Sequence, residues 1–253
     1  MNSDYSIVLA GGGGRTVWGL SLLRELDLLQ PQEWAGVSAG AAMAVFAASG
    51  RAEAVMDFFL AAAERNHANV HWGAWARGGR LFPHEGIYRA TLAHALAEGG
   101  FQALQQAPPV RVLLAWMEPG HPKVRRAAAA LREYGQRKKA GIIHGPDAPP
   151  LGLGYEVFTC QDAADAGEVV DRIIDTSATW PVTRLRKADG GTYVDGGLVE
   201  NVPVRALSPA AQAGKVIVLL SRPTPTPPPS ATRLYLAPQG PLPLPKWDYT
   251  SPD

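Results

Sequence analysis

Ser38 stands in Gly36-Val37-Ser38-Ala39-Gly40, a G-x-S-x-G pentapeptide. That spacing suits nucleophilic catalysis. It sets a serine on a tight turn between a strand and a helix, and the flanking Gly36 and Gly40 let the two backbones pack closely there. A helix opening at Ala39 directs its positive end toward the hydroxyl. A serine nucleophile also needs a base. The best-placed acid is Asp195, in Val194-Asp195-Gly196-Gly197. It ends an apolar strand, where the reactive groups of α/β sheets gather, and Gly196 and Gly197 leave its carboxylate room beside another group. Asp189, in an earlier Asp-Gly-Gly, reads instead as the polar tip of a hairpin. The histidines His67, His71, His84, His94, His121 and His144 all precede Asp195. The Ser, acid, His order of an α/β-hydrolase triad therefore fails with this acid, and a histidine could serve only in another order.

Gly11, Gly12, Gly13 and Gly14, followed by Arg15 and Thr16, form the third chemical element. A glycine-rich turn entering a helix presents backbone N–H groups to negative charge, either a standing phosphate or an oxyanion formed during reaction. A dinucleotide site would want a third glycine where Thr16 stands, and an acid at the end of the second strand, where this chain has Val37 and Ser38. A Walker-type loop would want a lysine, and none follows the glycines. A catalytically silent ligand-binding domain would not need both Ser38 and Asp195. Arg15 has two readings, since its planar fork can fix the glycine loop or meet a phosphate head group.

These groups require a sheet to hold them. Residues 5–10 (YSIVLA) read as a strand buried on both faces, and residues 16–30 carry Val17, Leu20, Leu23, Leu26 and Leu29 at helical spacing. A short strand at 33–37 then leads through Ser38 into a helix at 39–49 that ends at Gly50. The pattern further predicts helices at 51–65, 84–97, 124–139, 169–178 and 202–212, and strands at 110–117, 155–160 and 215–220. Residues 184–197 read as hairpin-like. Residues 69–83 read as a loop, with Trp72, Trp75 and Phe82 expected in the core rather than at an acyl pocket or an interface. The expected architecture is α/β, three layers with a mainly parallel central sheet flanked by helices. Residues 1–221 are expected to form the catalytic domain. Residues 222–253 are expected as a proline-rich extended segment lying on it, rather than as a ligand for an SH3-like partner.

AGGGGRT, GVSAG and VDGG, in this order, with IIDTSATWP before Asp195 and LVENVPV after it, resemble the patatin-like phospholipase family. The resemblance runs from Ile7 to about Val204. Thr16 stands where the family usually has glycine, and threonine suits the start of a helix. The resemblance implies a patatin-type fold and a Ser–Asp dyad without histidine. Ser38 would attack a lipid ester carbonyl while Asp195 takes its proton, and the amides of Gly11 to Gly14 would hold the oxyanion. It implies no metal and no cofactor. Because a carboxylate with a pKa of ~4 is a weak base, such a dyad depends on a dehydrated, preorganised site. A soluble carboxylesterase, a thioesterase or an acyltransferase would use the same dyad.

Composition limits the remaining classes. With 253 residues, 46% of them hydrophobic, the chain can bury a substantial core. A net charge of +1 gives no general field toward nucleic acid. The lone Cys160 allows neither an internal disulfide nor a cysteine zinc site. Asp4 stands where a signal peptide would carry a cation, and the longest uncharged run, 34–50, falls short of the ~20 apolar residues of a membrane span. The expected location is the cytoplasm, with peripheral contact to a membrane surface. The basic stretch 121–141, with Glu133 its sole acid, would meet anionic head groups or form a solvated face.

Overall fold

The computed structural model describes residues 3–119, 123–150, 152–243 and 248–250. In order along the chain come β1 (Tyr5–Leu9), α1 (Val17–Glu25), β2 (Trp34–Gly36), α2 (Ala39–Ala48), α3 (Ala52–Glu64), α4 (Trp72–Ala76), α5 (His84–Leu96), α6 (Gly100–Gln106), β3 (Val110–Met117), α7 (Lys123–Lys139), β4 (Leu153–Thr159), α8 (Ala166–Thr176), β5 (Lys187–Ala188), β6 (Gly191–Val194), α9 (Pro209–Ala213), β7 (Lys215–Leu219) and β8 (Arg233–Leu236). The fold is mixed α/β with a mostly parallel central sheet, in the order β5-β6-β3-β2-β1-β7-β8, with β4 on the other edge of β3. Ladders β3-β2, β2-β1, β1-β7 and β7-β8 are parallel, while β4, β5 and β6 add antiparallel pairings.

Strand periodicity builds the three layers. Successive side chains on a strand alternate faces, so Ile7 and Leu9 join one core while Val8 and Ala10 join the other. The first core is roofed by α1, α2, α3, α5, α6 and α8, and the second by α7, α9 and the turns after Asp195. Helix α2 is apolar all round and buried from Gly40 to Phe46. It lies inside the first layer rather than on its surface.

Four expectations need correction. The first helix stops at Glu25, because Asp27 turns left-handed (φ 53°) and Leu28 N–H returns to the Leu23 carbonyl. Residues 202–212 split into a turn at Val204–Ala206 and helix α9, since Pro203 and Pro209 each lack an N–H donor and Ser208 caps the new start. The 69–83 loop contains α4, too short to bury a face. Trp72 and Trp75 are 66% and 59% exposed and pack edge-to-face on each other instead of entering the core. Helix α6 follows a left-handed Gly99, and the sequence pattern does not reveal it. Of the basic stretch, His121 and the side chains of residues 123–128 lie outside the described residues.

The pairing around β3 makes the site. β4 covers one edge of β3 from Arg111 to Met117. The opposite edge is shared between two strands. β2 pairs in parallel with Val110, Arg111 and Val112, and β6 pairs antiparallel with Ala115, Trp116 and Met117. The two strands therefore run toward each other along one edge. They stop on either side of Leu113 and Leu114, and the residues just past their ends, Ser38 and Asp195, meet in that gap.

Candidate active site

Ser38 occupies the turn with φ 53° and ψ −134°, in the positive-φ region that non-glycine residues avoid. The turn is held there by close backbone contact. A Cβ on Gly36 would lie 2.5 Å from the Ala41 Cα, and one on Gly40 would lie 2.3 Å from the Leu9 carbonyl oxygen. Helix α2 starts at once, so its N-terminus faces the serine. The Ser38 N–H donates to Thr176 Oγ1 at 3.1 Å, and the Thr176 hydroxyl donates to the Leu113 carbonyl at 2.5 Å. Thr176 thus fastens the elbow to the open stretch of β3. Thr176→Val keeps the shape and removes both bonds. It is expected to cost about 1–3 kcal/mol of stability and to lower kcat, read from thermal melts and steady-state kinetics.

The Ser38 hydroxyl donates to Asp195 Oδ2 at 3.1 Å. The other carboxylate oxygen, Oδ1, accepts from the Gly197 N–H at 2.8 Å, which fixes the rotation of the group. Gly196 is needed beside it, since its Cβ would fall 2.6 Å from the Leu113 carbonyl. Asp189 lies elsewhere. With Gly190 it forms the two-residue turn between β5 and β6, as its hairpin reading predicts. Burial pushes the carboxyl of Asp175, next to Thr176 in α8, up to about 6, against the opposing pull of Arg186 and Arg172.

The glycine loop runs beside Ser38 but does not present all its amides. The Gly11 N–H already donates to the Asn201 carbonyl at 3.1 Å, and the Gly11 carbonyl accepts from Ser221 Oγ at 2.7 Å and Asn201 Nδ2 at 3.3 Å. Gly11 is therefore an anchor that ties the loop to the segment after Asp195, which leaves Gly12, Gly13 and Gly14 as amides for an anion. Thr16 returns its hydroxyl to the Gly13 carbonyl at 2.8 Å, so the residue that departs from glycine helps hold the loop. Asn201, Ser221 and Thr176 escape sequence reasoning, because nothing local marks a side chain that bonds to a residue 138 or more positions away.

Gly11, Gly12, Ser38 and Asp195 open into a pocket of about 490 Å³. Its apolar wall includes Met117, Leu131, Tyr134, Trp180, Leu185 and Leu198; Trp72, Trp75 and Phe82 do not line it. At the mouth Leu131, Trp180 and Leu185 are 57%, 74% and 40% exposed. Arg15, Lys138 and Arg222 bring positive charge to the same pocket. Arg15 makes no hydrogen bond or ion pair among the described residues, and its Nε is buried without a partner. No histidine lines the pocket among the described residues. A larger polar cleft of about 1080 Å³ between α5, α8 and the β5–β6 hairpin does not reach Ser38. There Asp171 is paired with both Arg89 and Arg186.

No described helix is long and apolar enough to cross a membrane. No curated protein sequence matches the chain. The family profile described as patatin-like phospholipase matches residues 7–208, most of the chain.

Proposed function

We propose that this chain, which belongs to the patatin-like phospholipase family, hydrolyses acyl ester bonds of lipids with Ser38 as nucleophile and Asp195 as base. The observation that carries this reading is the 3.1 Å hydrogen bond from Ser38 Oγ to Asp195 Oδ2, made at a strained elbow beside the glycine loop. As the Ser38 oxygen bonds to the ester carbonyl carbon, its proton passes to Asp195. The carbonyl oxygen takes up the negative charge, facing the amides of Gly12, Gly13 and Gly14 and the start of α2. Collapse breaks the ester bond, and the departing alcohol oxygen receives the proton from Asp195. Water then gives a proton to Asp195 and attacks the acyl-serine carbonyl. The acid leaves, and the proton returns to Ser38 Oγ. Asp195 is suited to this shuttle because Gly197 holds one oxygen still while the other faces Ser38.

The pocket favours a lipid with an anionic head. Arg15 and Arg222 line the pocket beside Ser38 and suit a phosphate. The exposed Leu131, Trp180 and Leu185 ring the mouth, and α7 brings Lys138 to the same pocket. An apolar rim beside cations is the pattern of a surface that rests on an anionic bilayer. In this reading residues 1–221 form the catalytic unit, and Arg233–Leu236 of the segment that follows extend its sheet as β8 beside β7. The protein works in the cytoplasm at a membrane surface.

A substrate panel tests the proposal: phosphatidylcholine and phosphatidylglycerol vesicles, neutral glycerides, p-nitrophenyl esters and acyl-CoA, each with wild type and Ser38→Ala. Turnover of the phospholipids that vanishes in Ser38→Ala is the expected result. Equal turnover by the two proteins would place the chemistry elsewhere, and hydrolysis confined to acyl-CoA would displace the lipid reading. Arg15→Gln is expected to lower kcat/KM on phospholipid about tenfold, the scale of one lost charged hydrogen bond. It should leave p-nitrophenyl ester turnover within about twofold, and an equal loss on both substrates would make Arg15 a loop-holding residue.

A further inference from the structure

A second cleft lies on the far side of the glycine loop, and the chain fills it with its own C-terminal segment. Gly13, Gly14 and Ala39 form the edge toward Ser38, and Met43, Phe46, Met56 and Phe59 supply apolar walls from α2 and α3. Tyr249 enters this cleft. Its ring meets Phe59 edge-on with centroids 5.2 Å apart and lies 4.8 Å from the His84 ring. The backbone is pinned by two asparagines: Tyr249 N–H donates to Asn69 Oδ1 at 2.9 Å, and Asn66 Nδ2 donates to the Tyr249 carbonyl at 2.6 Å. Asn69 Nδ2 also donates to Asp248 Oδ1 at 2.7 Å.

Tyr249 is half-buried in this cleft, and burial pushes its hydroxyl pKa up to about 12. With the ring in place the remaining space is about 40 Å³, roughly enough for one water and too small for any chain. With the ring withdrawn, an apolar slot opens one residue away from the nucleophile and on the other side from Arg15 and Arg222. A lipid ester has the same two-sided chemistry about its carbonyl, with a charged alcohol portion on one side and an unbranched hydrocarbon on the other.

We propose that this cleft is the subsite for the acyl chain and that Tyr249 is its resident occupant, displaced when a chain enters. The inference rests on the reading of Ser38 as an ester-cleaving nucleophile. A tethered occupant competes at high effective concentration, and the apparent affinity for the chain falls by the fraction of molecules in which the slot is open. A slot closed in nine molecules of ten weakens long-chain binding about tenfold. Chains too short to reach the slot escape that penalty.

Two measurements test this. The first is the ratio of kcat/KM for p-nitrophenyl dodecanoate to that for p-nitrophenyl butanoate. It is expected to rise about tenfold in Tyr249→Ala, and to rise also in Asn69→Ala, which keeps the ring and removes the Asn69 bonds to Tyr249 and Asp248 while leaving that of Asn66. The second is fluorescence titration with dansyl-undecanoate in a Ser38→Ala background, where adding Tyr249→Ala is expected to tighten binding about tenfold. An unchanged ester ratio in both variants together with unchanged probe affinity overturns the proposal. So does a rise in turnover of equal size for both ester lengths. The titration does not depend on catalysis. Loss of the Ser38 reading in the substrate panel therefore leaves it able to decide whether the cleft takes a chain.

Discussion

Asp195→Asn is expected to lower kcat about ten-thousandfold, the size of effect seen when one member of a serine hydrolase's catalytic unit is removed. At about 1.4 kcal/mol per tenfold, that is a barrier increase of roughly 5.5 kcal/mol. The asparagine keeps the volume of the carboxylate and can still accept from the Gly197 N–H through its amide oxygen, so the loop after β6 should remain in place. What disappears is the base. The Ser38 hydroxyl then faces an amide that cannot take its proton, and attack must release that proton to water in a pocket with an apolar wall. The double variant with Ser38→Ala should be little worse than either single one, because the two side chains act as a unit. Asp189→Asn is the matched comparison. It changes the same residue type before the same two glycines, but at a hairpin tip, and should leave kcat within about twofold of wild type, as surface changes generally do. Equal losses in the two asparagine variants would mean that the β6 end is not where the proton goes. Steady-state kinetics on one p-nitrophenyl ester, with circular dichroism to establish folding, distinguishes these outcomes.

Gly40→Ala is expected to be a severely damaging one-carbon addition at the elbow. The new Cβ would lie 2.3 Å from the Leu9 carbonyl oxygen and 2.6 Å from that of Ala10. Both are backbone atoms at the end of β1, which is paired on both sides by β2 and β7. A flexible side chain could turn away from such a contact, but a strand in the middle of a sheet can move only by carrying its neighbours. Overpacking against rigid neighbours costs upward of about 3 kcal/mol. In a domain of this size that corresponds to a melting temperature lower by roughly 6–12 °C. Activity should fall further than stability, because the atoms forced apart are the elbow and the strand that leads into the glycine loop. Gly36→Ala, which meets the Ala41 Cα and N at 2.5 and 2.6 Å, should behave in the same way. Gly86→Ala provides the opposite case. It lies in α5 with nothing within 4 Å of the added carbon, and should raise stability by about 0.5–1 kcal/mol through lower unfolded-state freedom and better helix propensity. A Gly40→Ala protein that melts with wild type would mean that the close approach of α2 to β1 is not what holds the turn.

The strands β1, β3 and β7 and the helices α2, α3 and α5 are legible in the sequence to within a residue or two. Their burial is continuous or periodic, and each is closed by a local signal such as Gly50 after α2. Elements whose boundaries depend on distant partners are not. Helix α4 carries two tryptophans and yet packs against no core. Residues 202–212 have helical composition, but their prolines divide them. Strand β8 arises in a proline-rich stretch because β7 has a free edge to pair with.

For the site itself, local sequence determined which residues can do chemistry. A G-x-S-x-G turn, a glycine loop entering a helix and an acid at a strand end each owe their character to atoms within a few residues, so residue type and spacing suffice to find them. Only the tertiary structure decided how they combine. Ser38 and Asp195 are 157 residues apart and meet because a parallel and an antiparallel strand share one edge of β3 and stop short of each other, a property of register that neither motif encodes. The same long-range packing engages the Gly11 amide with Asn201, leaves Arg15 facing the pocket and brings Tyr249 to the far side of the glycine loop. Hydrogen bonds and enclosure depend on which backbones lie within 3 or 4 Å of each other, and for residues far apart in the chain only the folded sheet sets that distance.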